Sequence, residues 1–180
     1  MTRERYIRMT ETTRRAVSRL PGGTKALRAP TLLCAAIYCA SLLYLMFTGD
    51  RRIIRAVIVP AVCFAVVTVL RPLIGKQRPY DRYGVPPVGA YKPGKGKSMP
   101  SRHTASAAAI ACAIAYVFPH PAVIACMALL SAVIGSLRVL SGQHDISDVL
   151  AALALSLVIS LVGYRLYFTQ ISQGISLKKR

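Results

Sequence analysis

The chain has few acidic residues and few histidines. Its 180 residues include 6 Asp and Glu and 3 His, against 24 Lys and Arg, and the formal net charge is +18. So few carboxylates and imidazoles, scattered along the chain, argue against a carboxylate-rich metal hydrolase. The 5 cysteines all lie within apolar stretches, where a thiol packs as a small hydrophobic side chain, so a disulfide scaffold is not favoured either.

Apolar residues are abundant. They make up 54% of the chain and the mean hydropathy is +0.46, which is too high for an ordinary soluble domain. This composition also excludes the possibility that the chain as a whole is a disordered basic tail. A bilayer core of about 30 Å requires roughly 20 helical residues. A chain of this length is too short to bury so many apolar helices in a soluble fold. We therefore predict an all-α integral membrane bundle of about five transmembrane helices, at residues 30–48, 53–71, 103–118, 121–140 and 146–168.

The first 29 residues differ from the rest because basic and apolar side chains alternate there. No secretory apolar stretch follows closely, so a cleaved signal is not expected. The pattern favours an amphipathic helix on anionic lipid, with a frayed basic tail as the alternative. We expect residues 1–29 to form this segment, residues 30–168 the membrane-embedded domain and residues 169–180 a basic C-terminal tail.

Three groups of polar residues fall at the ends of predicted spans. The first follows the second span, the next opens the third, and the last surrounds the junction of the fourth and fifth. An even number of crossings separates these places, so all three groups are predicted on one face of the membrane. The groups are Arg71 with Arg78, then Ser101 with Arg102 and His103, and then Arg138 with His144 and Asp148.

The arginines in these groups predict an anion site. Guanidinium groups bind phosphate oxygens in pairs. A helix that starts near His103 adds free backbone N–H donors, and the Ser101 hydroxyl adds another hydrogen bond. A single arginine would be explained by its contact with lipid headgroups. Four arginines that are predicted at the same face of the membrane indicate a phosphate site.

The histidines of these groups suggest chemistry. His144 and Asp148 are four residues apart, so they share one helix face, and the carboxylate can hold the imidazole as a nucleophile or base. His103 is suited to protonate a leaving oxygen. A zinc site on two His and one Asp is the alternative, which four nearby positive charges disfavour. His120 lies on the opposite face, between two prolines, and is interpreted as structural.

The three groups resemble the three signatures of the type 2 phosphatidic acid phosphatase (PAP2) superfamily. The Lys-x6-Arg-Pro signature matches positions 71–79, Pro-Ser-Gly-His matches positions 100–103, and Ser-Arg-x5-His-x3-Asp matches positions 137–148. Three positions depart from the pattern. Arg71 stands where Lys is usual, Leu137 where Ser or Thr is common, and Arg102 where Gly normally lets backbone amides approach the phosphate.

The resemblance implies a haloperoxidase-like helical core and a metal-independent lipid phosphatase without a cofactor. It implies that His144 attacks phosphorus to give a phosphohistidine, that Asp148 orients this imidazole, and that His103 protonates the leaving group and then activates water. The expected phosphate-binding residues are Arg71, Arg78, Ser101, Arg102 and Arg138.

The expected substrate is a lipid phosphate of the undecaprenyl diphosphate, phosphatidic acid or phosphatidylglycerol phosphate type. Arg102 and the lysines of residues 92–97 favour a diphosphate. The alternatives are a non-catalytic binder or transporter of anionic lipids, and a phosphotransferase of the same fold. Nucleic acid is not an expected partner, because the basic residues flank membrane spans. The sequence indicates no oligomeric state.

The predicted location is the plasma membrane, with several crossings and a bilayer of anionic lipids as the partner. The resemblance implies a site on the extracytoplasmic side. The positive-inside rule points the other way, because most of the 24 basic residues fall on the site face. Phosphate-binding residues inflate that count, so the extracytoplasmic side is favoured.

Overall fold

The described part of the chain is helical. The computed structural model describes residues 1–89, 91 and 96–177, with side chains as far as residue 165, and these residues contain no strand. Lys92 and Lys95, two of the loop lysines considered above, and residues 178–180 of the predicted tail lie outside the described residues. The elements are α1 (Arg3–Ser18), a 3-10 segment (Gly23–Arg28), α2 (Ala29–Phe47), α3 (Arg52–Ile74), α4 (Pro79–Tyr83), α5 (Arg102–Val117), α6 (Pro121–Leu140) and α7 (Ile146–Leu177).

Helices α2, α3, α6 and α7 are each long and apolar enough to cross a membrane. Helix α5 has 16 residues and packs against all four of them. Large apolar side chains cover the outside of the bundle: Phe47 is 82% exposed and Leu73 75%. Such a surface marks contact with lipid or with another protein, and the four long apolar helices indicate lipid. The prediction of an all-α integral membrane bundle is confirmed.

The centre of the bundle is built on small side chains of α5. Ala105 and Ala109 are buried against Cys63 and Val67 of α3 and against Ala152 of α7. Small residues let helix backbones approach closely in lipid, where dispersion contacts and hydrogen bonds hold helices together. Close packing around α5 fixes the start of this helix, with His103 in its first turn, relative to the ends of α3 and α6.

Helix α1 packs on the rest of the protein. The Thr2 hydroxyl caps it by accepting from the backbone N–H of Arg5 at 3.4 Å, and its buried side chains are Tyr6, Thr10 and Val17. Its arginines are exposed. One face of α1 in the amphipathic segment of residues 1–29 therefore packs on protein, while the arginine-bearing face points outward. At the other end, α7 continues past residue 168 to Leu177.

The loops at one end of the bundle are joined to each other by backbone hydrogen bonds. The N–H of Val88 donates to the carbonyl of Ser141 at 2.9 Å, and that of Ser101 donates to the carbonyl of Asp148 at 3.1 Å. Helix α6 ends just before Gly142, whose φ of +74° is a left-handed conformation that favours glycine. These contacts place the three sequence groups at one end of the bundle.

Candidate active site

A cavity of about 430 Å³ lies where α3 ends, α5 begins and α6 turns into α7. One wall comes from the 3-10 segment and α2, through residues such as Arg28 and Leu32. The facing walls carry the polar groups that the sequence singled out. These are Arg71, Arg78, Arg102, His103, Arg138 and His144. The structure thus brings both histidines and all four arginines to one cavity.

Two of the arginines present buried donors without a partner among the described residues. Arg71 is 5% exposed, and its Nη2 donates to the carbonyl of Lys97. Arg78 Nη1 donates to Tyr80 Oη at 2.5 Å. The Nε atoms of Arg71 and Arg78 are both buried and make no hydrogen bond with the residues that the structure describes. A buried, unsatisfied guanidinium donor is costly, so an anion in the cavity would stabilise both.

Arg138 holds the turn that carries His144. Its Nη1 donates to Gln143 Oε1 at 2.7 Å, which fixes the guanidinium at the cavity wall. Its backbone carbonyl accepts from the N–H groups of Gln143 and His144, each at 3.1 Å. Arg138 therefore contributes a positive charge to the cavity and also positions the backbone of His144.

His144 and Asp148 lie close together, but not on one helix as their spacing predicts, because His144 is in the turn and α7 begins two residues later, at Ile146. His144 Nδ1 lies 3.4 Å from Asp148 Oδ2, and His144 is 4% exposed while Asp148 is fully buried. Because Nδ1 faces the carboxylate, Nε2 is the ring nitrogen left for a substrate. Asp148 Oδ2 also accepts from the backbone N–H of Asp145 at 3.0 Å, as the third residue of a helix does in a capping box.

The Asp148 carboxylate has two further partners from the loop after α3. Lys76 Nζ lies 2.5 Å from Asp148 Oδ1, and the Ser98 hydroxyl donates to Oδ2. Ser98 Oγ is also 3.4 Å from His144 Nδ1. A buried carboxylate that lacked such partners would be expensive. Lys76 and Ser98 together keep Asp148 ionised beside the imidazole.

The charge state of His144 follows from its surroundings. Burial lowers the pKa of His144 below its ordinary value of 6.5, while the Asp148 carboxylate opposes this by hydrogen bond and charge. Arg78 and Arg71 add to the lowering. The imidazole is therefore neutral at pH 7, which is the form that can attack an electrophile.

His103, Ser101 and Arg102 occupy different places around the start of α5. His103 is exposed and lines the cavity. Ser101 is fully buried, is not among the lining residues, and its hydroxyl accepts from Thr104 Oγ1 at 3.0 Å. Arg102 is exposed, and its guanidinium lies 6.0 Å from the ring centroid of Phe64, a cation–π distance. Arg102 stands in place of the usual glycine and is one of the residues that line the cavity of about 430 Å³.

Sequence reasoning missed four residues of this site: Lys76, Ser98, Gln143 and Arg28. Lys76 and Gln143 sit inside two of the signatures, but at positions that the signatures leave open. Ser98 lies in an irregular loop with no periodicity to indicate its direction. Arg28 lies far from the signatures in sequence, and only the fold brings it to the cavity.

Metal ligands are not grouped in the described residues: no three His, Cys, Asp or Glu side chains lie together as a metal ion requires. The charged side chains around the cavity are instead arginines, which carry positive charge. Such a set can bind a phosphate group and stabilise the charge on its oxygens during transfer.

The structure defines a helical membrane protein with two histidines and five arginines around one cavity at the end of the bundle. Residues 52–172 match the family model of the PAP2 superfamily. The chain belongs to this superfamily, as the three signatures predicted.

Two solved structures are similar to this chain. The structure of LpxE from Aquifex aeolicus has a TM-score of 0.67 at 18% identity, over 90% of this chain and 93% of that one. A transmembrane PAP2-type phosphatidylglycerolphosphate phosphatase from Bacillus subtilis has a TM-score of 0.68 at 18% identity, over 92% of this chain and 86% of that one. These likenesses show a shared fold. No curated protein sequence matches the chain.

Proposed function

We propose that the protein is a metal-independent lipid phosphatase that works through a phosphohistidine. The observation that carries this proposal is one cavity in which His144, held by Asp148, shares the walls with His103 and five arginines. Membership of the PAP2 superfamily supports it, as does the likeness in fold to a transmembrane PAP2-type phosphatidylglycerolphosphate phosphatase.

In the first step, Nε2 of His144 attacks phosphorus and the bond from phosphorus to the leaving oxygen breaks. His103 enters this step as the imidazolium, a form that the negative charge of the bound phosphate favours, gives its proton to that oxygen and is left neutral. Asp148 stabilises the positive charge that develops on the imidazole of His144. Arg71, Arg78 and Arg138 hold the non-bridging oxygens, whose negative charge grows in the transition state.

In the second step, His103 takes a proton from water, and the resulting hydroxide attacks the phosphohistidine. The phosphorus–nitrogen bond breaks, inorganic phosphate leaves, and His144 returns to its neutral form. Ser101 is assigned to the phosphate-binding set through its position at the start of α5, and Arg102 is assigned to a second phosphate group at the rim. No metal ion takes part in either step.

The proposed substrate is a lipid phosphate whose tail stays in the bilayer, of the undecaprenyl diphosphate, phosphatidic acid or phosphatidylglycerol phosphate type. Four arginines and Arg28 line a cavity that is larger than one phosphate group needs. We propose a diphosphate on this ground. The anionic lipids of the bilayer are proposed partners of the exposed arginines of α1.

Phosphate release tests the function directly. Purified protein in detergent is expected to release inorganic phosphate from lipid phosphates at the same rate with and without EDTA. A faster rate on a diphosphate than on a monophosphate with the same tail is expected from the positive charge of the cavity. Loss of release on adding EDTA would contradict metal independence, and equal rates on both lipids would remove the basis for a diphosphate.

The same assay separates the alternatives. A non-catalytic binder or transporter would release no phosphate, and it has no use for an imidazole held by a buried carboxylate. A phosphotransferase would give a new phospholipid when an acceptor lipid is added. Phosphate release that vanadate inhibits, with no new phospholipid, is the expected outcome.

We propose that the protein lies in the plasma membrane with the cavity on the extracytoplasmic side. Gln77 is exposed on the site face and Arg51 is exposed at the opposite end of α3. A membrane-impermeant maleimide added to intact cells is expected to label Gln77→Cys and to leave Arg51→Cys unlabelled, relative to the wild-type background. The reverse pattern would place the site in the cytoplasm, as the positive-inside rule suggests.

A further inference from the structure

Helix α1 lies outside residues 52–172, which match the superfamily, yet it packs on the loops that form the site. The Arg3 Nε donates to the carbonyl of Tyr83 at 3.4 Å, and Arg14 Nη2 donates to the carbonyl of Pro86 at 3.3 Å. The segment that α1 touches in this way directly follows Arg78 and leads to Gly89, which lines the cavity. This contact extends along most of the helix.

Tyr6 is the buried centre of the contact. Its side chain is fully buried, and its ring centroid lies 5.2 Å from that of Tyr83. The Tyr6 hydroxyl lies 3.2 Å from the carbonyl oxygen of Gly142 and 3.3 Å from that of Val85. One hydroxyl therefore connects the loop after Arg78 with the turn before His144.

Gly142 is shaped for this tyrosine. A Cβ atom at Gly142 would lie 2.5 Å from Tyr6 Oη and 2.8 Å from Thr10 Cγ2, so no other residue fits without a shift of α1. The positive φ of +74° adds a conformational reason for glycine. The α6–α7 turn and the buried face of α1 are thus complementary in shape.

The hydrogen bond from Tyr6 acts on the peptide unit between Gly142 and Gln143, one unit before the peptide that enters His144. The carbonyl of Gly142 and the N–H of Gln143 belong to one planar peptide group. Tyr6 lies against the carbonyl end, and the Gln143 N–H donates to the carbonyl of Arg138 at 3.1 Å. The His144 N–H donates to the same carbonyl. The backbone that enters His144 is therefore held from both sides.

We propose that Tyr6 is a positioning residue: through Gly142 it sets the direction of the His144 imidazole in the cavity. This inference rests on the proposed function for its consequence in catalysis. The contact itself is a property of the fold and can be tested apart from any reaction.

The hydroxyl of Tyr6 is a dependable donor. Burial raises the pKa of Tyr6 to about 12, with the charges of Tyr80 and Asp145 acting in the same direction and Arg14 opposing them. Tyr6 therefore keeps its proton across the pH range of an activity assay. A buried tyrosine hydroxyl needs a polar partner, and the two carbonyls supply it.

Tyr6→Phe is the test, because it keeps the ring and removes the hydroxyl. We expect kcat for phosphate release to fall roughly three- to tenfold, as the loss of one hydrogen bond that orients a reacting group predicts, while KM stays within about twofold. Amide hydrogen exchange at Gln143 and His144 is expected to become faster. Tyr44→Phe is the matched control, since Tyr44 is exposed near the other end of the bundle, and it should change neither quantity.

The outcomes separate this inference from the proposed function. A Tyr6→Phe variant with wild-type kcat, or with a raised KM and unchanged kcat, overturns the positioning role. Unchanged exchange at Gln143 and His144 overturns it as well. If wild-type protein releases no phosphate, the proposed function fails, and exchange at these two amides still supports or overturns the contact between Tyr6 and the turn.

Discussion

His144→Ala is expected to lower phosphate release by at least about 10⁴-fold, because a reaction through a phosphohistidine cannot start without its nucleophile. The loss should appear in kcat, since Arg71, Arg78 and Arg138 still bind the phosphate group. Binding of vanadate or inorganic phosphate to the variant is therefore expected to persist. The measurement is initial rate against lipid concentration in detergent, for wild type and variant prepared in the same way.

The control for this substitution is His120→Ala. His120 is exposed at the start of α6, at the other end of the bundle, where Nδ1 accepts from the backbone N–H of Ala122 at 3.3 Å. Its replacement removes an imidazole without touching the cavity, so near-wild-type kcat is expected. Protein incubated with a ³²P-labelled lipid phosphate and quenched in alkali should carry acid-labile label that His144→Ala lacks. Near-normal turnover of His144→Ala would rule out this nucleophile.

The membrane architecture could be predicted from the sequence because lipid imposes one simple rule. A segment that crosses a bilayer must be helical, apolar and about 20 residues long, and such segments are visible without a structure. The crossing count then put the ends of the second, third and fifth spans on one face. The four arginines and two histidines could be assigned to a common site on this argument alone, and the signatures made it specific.

The contacts that support the site could not be predicted in this way. The spacing of His144 and Asp148 predicts that these two residues lie close together, but Lys76 reaches the same carboxylate from 72 residues away and Ser98 from 50. No periodicity in an irregular loop indicates these directions. Likewise, the amphipathic pattern predicts that the apolar face of α1 is buried, but it does not show whether lipid or protein buries this face. The side chain of Tyr6 is buried by the protein.

Asp148→Asn tests whether the carboxylate serves the imidazole or only the fold. The substitution keeps the shape and removes the charge beside His144 Nδ1. We expect kcat to fall roughly 10²- to 10⁴-fold, as the loss of an orienting carboxylate does in a catalytic triad. The cause would be twofold: the amide does not fix the tautomer that presents Nε2, and it does not stabilise the positive imidazole of the transition state.

The pH dependence of the rate should also change in a definite direction in Asp148→Asn. The Asp148 carboxylate raises the pKa of His144, against the lowering by burial. Without the carboxylate this pKa falls further below 6.5, so the neutral imidazole persists to lower pH. If protonation of His144 sets the acid limb of kcat/KM, that limb should therefore move to lower pH in Asp148→Asn, while the plateau rate drops.

Asp145→Asn is the matched control for Asp148→Asn. Asp145 Oδ2 lies 3.4 Å from Lys76 Nζ and 3.1 Å from Arg82 Nη2, so it belongs to the same charged network. The imidazole of His144 makes its carboxylate contact with Asp148 alone among the described residues. Loss of the Asp145 charge should therefore cost little activity and leave the acid limb in place. Equal losses in the two variants would mean that Asp148 acts by holding Lys76 and the loop, and the triad role assigned to it would be wrong.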